Sequence, residues 1–294
     1  MSEEQLVALG DDGTRLYVHR RQGPPSAGPS APTALLCDGI ACDGFIWKYL
    51  WDDLAEHMPV AHWHYRGHGR SGPPADPTHT DFLEHLRDLA AVRRALGDPP
   101  VVLFGHSMGC QVALEAMREQ ASNVRALVLV CGSSGRITHT FRGSNVLAQV
   151  LPRLIARVEA HPDLARALWS RVPTDLSLRV ALLSGEVDKS IHPEDLLPYM
   201  KHMVDIDLLM FLRMLQSAGE HSAADLLPDI QVPVLVLAGD RDQFTPPKQT
   251  EEMASALPRA ELLMVPGATH VVPIERRELV HERISTFLRE HLGV

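Results

Sequence analysis

Three positions in this chain carry the residue types of nucleophilic acyl transfer, and each follows a short apolar run. Ser107 lies in Gly105-His106-Ser107-Met108-Gly109, directly after residues 101–104 (VVLF). Asp242 closes Gly239-Asp240-Arg241-Asp242, and His270 closes Gly267-Ala268-Thr269-His270. Acyl transfer needs a nucleophile that loses a proton, a base suited to neutral pH, and an acid that orients the base. Serine supplies the first. Histidine is the natural base, and with 16 in the chain position must choose among them. His270 is preferred, because a Gly-Ala-Thr loop after a terminal strand can swing its imidazole over the end of a sheet. His106 adjoins Ser107 on a sharp turn and is expected to point away from it. Asp242 is preferred to Asp240 as the orienting acid: it lies further along its loop and can turn back, while Asp240 stabilises the turn.

The glycines beside Ser107 have a mechanical reason. A strand that turns at once into a helix forces its central residue into a strained backbone conformation, and leaves no room for Cβ on either side. The first N–H groups of the following helix then face a developing negative charge. Met108 supplies one such oxyanion donor. Ile40, in Asp38-Gly39-Ile40 after the apolar run 34–37, is expected to supply the other. Gly39, Asp38 and Cys110 are the candidate substrate contacts. A carboxylate aimed at the oxyanion would oppose it, so Asp38 must point away or be hydrogen-bonded elsewhere. His62 and His64 share one strand face and are the best metal candidate, but no carboxylate or cysteine completes a set in the sequence. Neither a metal nor a cofactor is expected.

The elements that position these residues alternate between strand and helix. Residues 14–20 alternate as an early antiparallel strand would, 24–32 read as a loop, and 34–37 and 60–65 as strands. A glycine-rich turn follows at 66–72, then a helix over 81–96 with Glu84 placed to cap it, and strands at 101–104 and 124–130. From 133 to 228 the apolar spacing is helical throughout, with helices expected at 151–160, 162–172, 193–203 and 205–217. The alternation returns with strands at 231–237 and 261–265 and helices at 247–256 and 275–291. This rhythm predicts an α/β class, with a doubly wound and mostly parallel sheet. Its core divides into residues 1–132 and 229–294, with 133–228 as a helical insert that is either a cap over an apolar pocket or a simply well-packed unit. Ligands of such sheets sit beyond the carboxyl ends of the strands. Asp38, Ser107, Cys131, Asp242 and His270 all fall there, on one rim.

Composition narrows the class. A net charge of −9, with no basic run, argues against nucleic acid and against an anionic membrane as partners. The acidic N-terminal stretch lacks the apolar core of a signal peptide, and no window is long and apolar enough to span a bilayer. Cys37, Cys42, Cys110 and Cys131 show no zinc-type spacing and read as reduced thiols of a cytoplasmic protein, either monomer or homodimer.

Taken together, Arg66-Gly67-His68-Gly69-Arg70-Ser71, the Ser107 motif, Val232-Pro233 with Gly239-Asp240-Arg241-Asp242, and Gly267-Ala268-Thr269-His270 resemble the α/β-hydrolase superfamily, in its branch of single-domain enzymes with a helical cap. The order Ser, Asp, His along the chain matches that group, and the likeness covers nearly all of the chain outside 133–228. The resemblance implies an α/β-hydrolase fold and a triad of Ser107, Asp242 and His270, but says little of substrate. Two departures stand out. Asp38-Gly39 occupies the place of a usual His-Gly, and Cys110 stands where many relatives carry another glycine. Serine rather than aspartate at 107 argues against the dehalogenases and epoxide hydrolases of this fold. The expected function is cofactor-free hydrolysis of a small-molecule carboxylic ester, largely apolar and of small to medium size, through an acyl-enzyme on Ser107. C–C bond hydrolysis or perhydrolysis on the same triad, and slow-turnover binding of a small ligand, are the alternatives.

Overall fold

The computed structural model describes residues 3–28 and 31–294. Segments rich in valine, leucine and alanine form eight strands: β1 Glu3–Leu9, β2 Arg15–Arg21, β3 Thr33–Cys37, β4 Val60–Trp63, β5 Val101–His106, β6 Val124–Val130, β7 Val234–Gly239 and β8 Ala260–Val265. They make one sheet in the order β1-β2-β4-β3-β5-β6-β7-β8. β1 and β2 run antiparallel to their neighbours and the rest are parallel. Every residue of β3, β4, β5 and β7 is buried, as a parallel sheet covered on both faces requires.

The covering helices are α1 Leu50–Ala55, α2 Phe82–Ala95 and α3 Met108–Glu119, then α4 Val146–Ala160, α5 Pro162–Trp169, α6 Thr174–Ser184, α7 Pro193–Asp205 and α8 Leu208–Glu220, and last α9 Pro247–Ala256, α10 Val272–Glu275 and α11 Arg277–Leu292. Successive strand residues point to opposite faces, so neighbours in sequence enter different cores. Leu35, Leu103 and Leu127 pack with Leu89 of α2, Val112 of α3 and Met253 of α9. Leu36, Phe104 and Val128 pack with Leu54 of α1 and with Ile284 and Phe287 of α11. The sheet is therefore wound on both sides. No helix among the described residues is long and apolar enough to cross a membrane.

Four departures from the sequence reading stand out. Strand β1 goes unread because its first three residues, Glu3, Glu4 and Gln5, are polar and exposed, leaving only Leu6 and Ala8 to turn toward the core. Helix α6 fills a stretch given no element, and α8 begins at Leu208 because the Asp207 carboxylate accepts from Met210 N at 2.9 Å, an N-cap. The expected final helix is broken at Arg276, with φ −133° and ψ 48°, into α10 and α11.

Strand register sets the rim. Cys37 pairs with Gly105, and His106 with Val130, so the chain leaves β3, β5 and β6 at one level. Arg66, fully buried after β4, grips Asp88 of α2 through two hydrogen bonds of 2.8 and 2.7 Å. That ties the glycine-rich turn to the helix beneath it.

Candidate active site

Ser107 sits between β5 and α3 with φ 53° and ψ −118°, a conformation costly for any residue with a Cβ. Its flanking glycines are explained by contact. A Cβ at Gly105 would lie 2.4 Å from the Gly109 carbonyl oxygen, and one at Gly109 would lie 2.1 Å from that of Cys37. Strand, turn and helix thus touch backbone to backbone. Ser107 N donates to Val130 O at 3.0 Å, which pins the turn to β6. The next amide, Met108 N, has no acceptor among the described residues, and neither has Ile40 N. The loop after β3 lies hard against the serine: a Cβ at Gly39 would stand 3.1 Å from Ser107 Cβ. Gly39, Ile40 and Ser107 line one cavity.

Asp242 and His270 meet on the same rim. His270 Nδ1 donates to Asp242 Oδ2 at 2.8 Å, so Nε2 keeps its lone pair and is the basic nitrogen. Oδ1 of Asp242 accepts from Phe244 N and Thr245 N at 2.8 and 3.0 Å, and Oδ2 also accepts from the Thr245 hydroxyl at 2.7 Å. Burial alone would raise the pKa of this carboxyl. The charge and hydrogen bond of His270, with the Thr245 donors, outweigh burial and hold it below its ordinary value. Glu275 accepts from both the amide and the hydroxyl of Thr269 at 2.7 Å, clamping the loop that carries His270. Asp240 accepts from Gly267 N at 2.7 Å and so ties the two loops together. His270 lines the same cavity as Ser107. No hydrogen bond joins the two among the described residues.

His106 takes a place that sequence reasoning missed. It is buried, borders the cavity, and donates through Nε2 to the His270 carbonyl oxygen at 3.0 Å. Burial, helped by the charge of His270, pushes its pKa down to about 3. It is a neutral strut behind His270.

Two expected substrate contacts lie outside the cavity. Asp38 is fully buried and turned away: Oδ1 accepts from Trp47 Nε1 at 2.8 Å, Oδ2 from His62 Nε2 at 2.9 Å, and its carbonyl from the Tyr65 hydroxyl at 2.8 Å. Burial would raise its pKa, but the neighbouring His62 leaves it lowered. Cys110 packs beneath the turn, its thiol directed at the Gly105 and Val130 carbonyls, because the first turn of α3 presses that side chain into the sheet. Burial drives its pKa upward, so it stays a thiol.

The best metal candidate does not assemble. His62 is engaged by Asp38, and His64 Nδ1 accepts from Arg70 N at 2.8 Å. His106, Cys131 and His270 do bring donor atoms within 4.8 Å of one another. Yet His270 Nδ1 belongs to Asp242, His106 Nε2 to a carbonyl, and burial holds the Cys131 thiol protonated.

The cavity measures about 700 Å³. Ser107 and His270 contribute polar atoms, whereas Leu147, Leu176, Val180, Met203, Phe211 and Leu215 supply apolar walls from the helices between β6 and β7. Phe244, two residues past Asp242, packs 4.9 Å from the His270 ring and had no signal in the sequence. Phe211 and Leu215 did: α8 has more apolar residues than one buried stripe needs.

A family model described as the alpha/beta hydrolase family matches residues 35–283. The chain is 27% identical over 268 residues to the polyketide synthase ThaQ of Burkholderia thailandensis, across 90% of this chain but only 12% of that protein. It is 25% identical over 266 residues to a putative carbamate hydrolase, RutD, of Agrobacterium fabrum, covering 88% of this chain and 93% of the relative. Among solved structures, the esterase EaEST of Exiguobacterium antarcticum superposes with a TM-score of 0.75 at 20% identity, over 97% of this chain and all of the other. At that identity the likeness speaks for the fold.

Proposed function

Because the chain belongs to the alpha/beta hydrolase family, we propose that it hydrolyses carboxylic esters of small to medium, largely apolar molecules through an acyl-enzyme on Ser107. The observation that carries this reading is the 2.8 Å bond from His270 to Asp242 at the wall of the cavity that also holds Ser107. His270 Nε2 takes the hydroxyl proton as Ser107 Oγ attacks the ester carbonyl carbon. The oxyanion accepts hydrogen bonds from Met108 N and Ile40 N, both free to give them. Asp242 fixes the imidazole and stabilises its charged form. The tetrahedral intermediate collapses, and the alcohol leaves with the proton from Nε2. Water, deprotonated by the same nitrogen, then attacks the acyl carbonyl; the acid departs and Ser107 recovers its proton.

Residues 133–228 act as the cap, and their apolar side chains favour an uncharged acyl or alkoxy group. Asp38 is held out of the oxyanion's way by Trp47 and His62. Ser107→Ala should lower hydrolysis of a p-nitrophenyl ester by at least roughly 10³-fold, with the circular dichroism spectrum and thermal midpoint unchanged. Activity kept within about twofold by a folded variant would sink the serine mechanism.

A further inference from the structure

Helices α4, α5 and α6 carry a concentration of bare apolar surface. Val146, Val150 and Leu154 stand one turn apart on α4, Leu164 and Leu168 on α5, and Leu176, Val180 and Leu183 on α6, all between 43% and 83% exposed. Spacing of three or four residues aligns each set as a stripe on its helix. These eight are more than half of the fourteen large apolar side chains exposed among the described residues, gathered within 38 positions of the sequence. Solvated surfaces seldom gather such residues without a partner. Leu176 and Val180 also line the cavity that holds Ser107, so α6 gives apolar side chains both to the exposed stripe and to the cavity.

Charge is segregated in the same place. Residues 146–184 hold five arginines against three acids, a local +2, which leaves −11 for the remainder of a chain whose net charge is −9. Arg153, Arg157, Arg166 and Arg179 are exposed and form no ion pair among the described residues, whereas Glu159 is taken by Arg213 of α8 at 2.7 Å. On α4 the apolar stripe runs beside the free guanidinium groups of Arg153 and Arg157, a combination that matches a surface with hydrocarbon below and phosphate above.

We propose that this face docks on an anionic lipid bilayer, with α4 to α6 lying among the headgroups and the cavity opening toward the lipid. The whole-chain charge, which argues against such a partner, does not decide the matter. Ionic screening acts over about 8 Å in physiological salt, so the nearby arginines govern docking and the acidic remainder faces water. A second copy fits less well: a two-fold pairing of this face would set arginines against arginines.

Flotation of the full-length chain with vesicles tests the proposal. The wild type should float with phosphatidylglycerol–phosphatidylcholine vesicles and stay behind with phosphatidylcholine alone. Ser107→Ala should float equally, which separates docking from the ester-hydrolase reading. Leu164→Gln/Leu168→Gln should lose partitioning roughly tenfold or more, and so should Arg153→Glu/Arg157→Glu by a different route. Both variants should hydrolyse a dissolved short-chain ester at the wild-type rate. Wild type left in the aqueous fraction with the mixed vesicles overturns the proposal. So does a dimer, seen by sedimentation, that Leu164→Gln/Leu168→Gln dissociates.

Discussion

Lowering the pH from 7 to 5 should strip this protein of several kcal/mol of stability, because histidines near the rim are buried where they cannot accept a proton. Burial pushes the pKa of His64 down to about 3, of His68 to about 4 and of His106 to about 3, with neighbouring positive charges adding to the effect. His85, fully buried with neither ring nitrogen hydrogen-bonded, is also held well below its ordinary value by burial. Each folded pKa lies below the unfolded value of 6.5. Between the two, the unfolded chain binds a proton that the folded chain refuses, so stability falls as the pH drops. A histidine shifted from 6.5 to 3 or 4 loses about 2 kcal/mol between pH 7 and pH 5, roughly 6 kcal/mol for the three together. Asp38 and Asp242, with lowered pKa values, are ionised in both states across this window and add little. Asp88, raised by burial, acts in the opposite sense, toward the acid end. A domain holds about 5–15 kcal/mol in all, so much of the margin should vanish. Urea unfolding followed by tryptophan fluorescence at pH 7, 6 and 5 reads the loss directly. His68 donates to the Arg66 carbonyl at 2.9 Å, a bond that glutamine can replace. His68→Gln should therefore lose about 2 kcal/mol less than the wild type over the same interval. A total loss below about 1 kcal/mol, or no difference in the variant, would refute the account of these histidines as buried and neutral.

The site makes three further demands. Gly39→Ala places a methyl 3.1 Å from Ser107 Cβ and 3.0 Å from His106 Nδ1; steady-state kinetics should show kcat down roughly tenfold or more with KM little changed, and an unchanged kcat would remove Ile40 N as an oxyanion donor. Asp242→Asn keeps the shape but alters the hydrogen bond that sets the His270 tautomer, so kcat should fall about 10⁴-fold; a loss under tenfold would mean that another group orients His270. Arg66→Met leaves the buried Asp88 carboxylate without its partner and should cost about 3–5 kcal/mol in urea unfolding, most of it regained in Arg66→Met/Asp88→Leu; no recovery would place the role of Arg66 in its other contacts, to the His79 carbonyl and to Asp12 and Glu84.

What could be read from the sequence follows from which forces leave a local trace. Parallel strands buried on both faces leave near-continuous apolar runs, so residues 101–104 and 124–130, interrupted only by Arg125, are legible, and with them the rim where Ser107, Asp242 and His270 fall. Strand β1 leaves little trace, because its first half is polar and exposed and only Leu6 and Ala8 turn inward. Helix α6 is obscured for the opposite reason. Leu178 and Ala181 enter the core, Leu176 and Val180 meet the cavity, and Leu183 meets water, so apolar residues circle the helix and no single stripe emerges. The orientation of Asp38 depends on His62, 24 positions away on β4, and on Trp47 in a short turn. Pattern within either segment cannot reveal that meeting. Cys110 misled for a related reason: closeness to Ser107 in sequence is not closeness to the cavity.

Cys110 and Gly132 share a single pocket of volume. A Cβ at 132 would lie 2.2 Å from Cys110 Sγ, so α3 and the loop after β6 can hold one side chain there but not two. Substitutions at these two positions are therefore ordered in time. Gly132→Ala in the present background forces the turn under Ser107 apart, whereas after Cys110→Gly the nearest remaining contact is the Ser107 carbonyl oxygen at 3.0 Å. A lineage, or a laboratory selection, can move the side chain from one segment to the other by only one of the two possible routes.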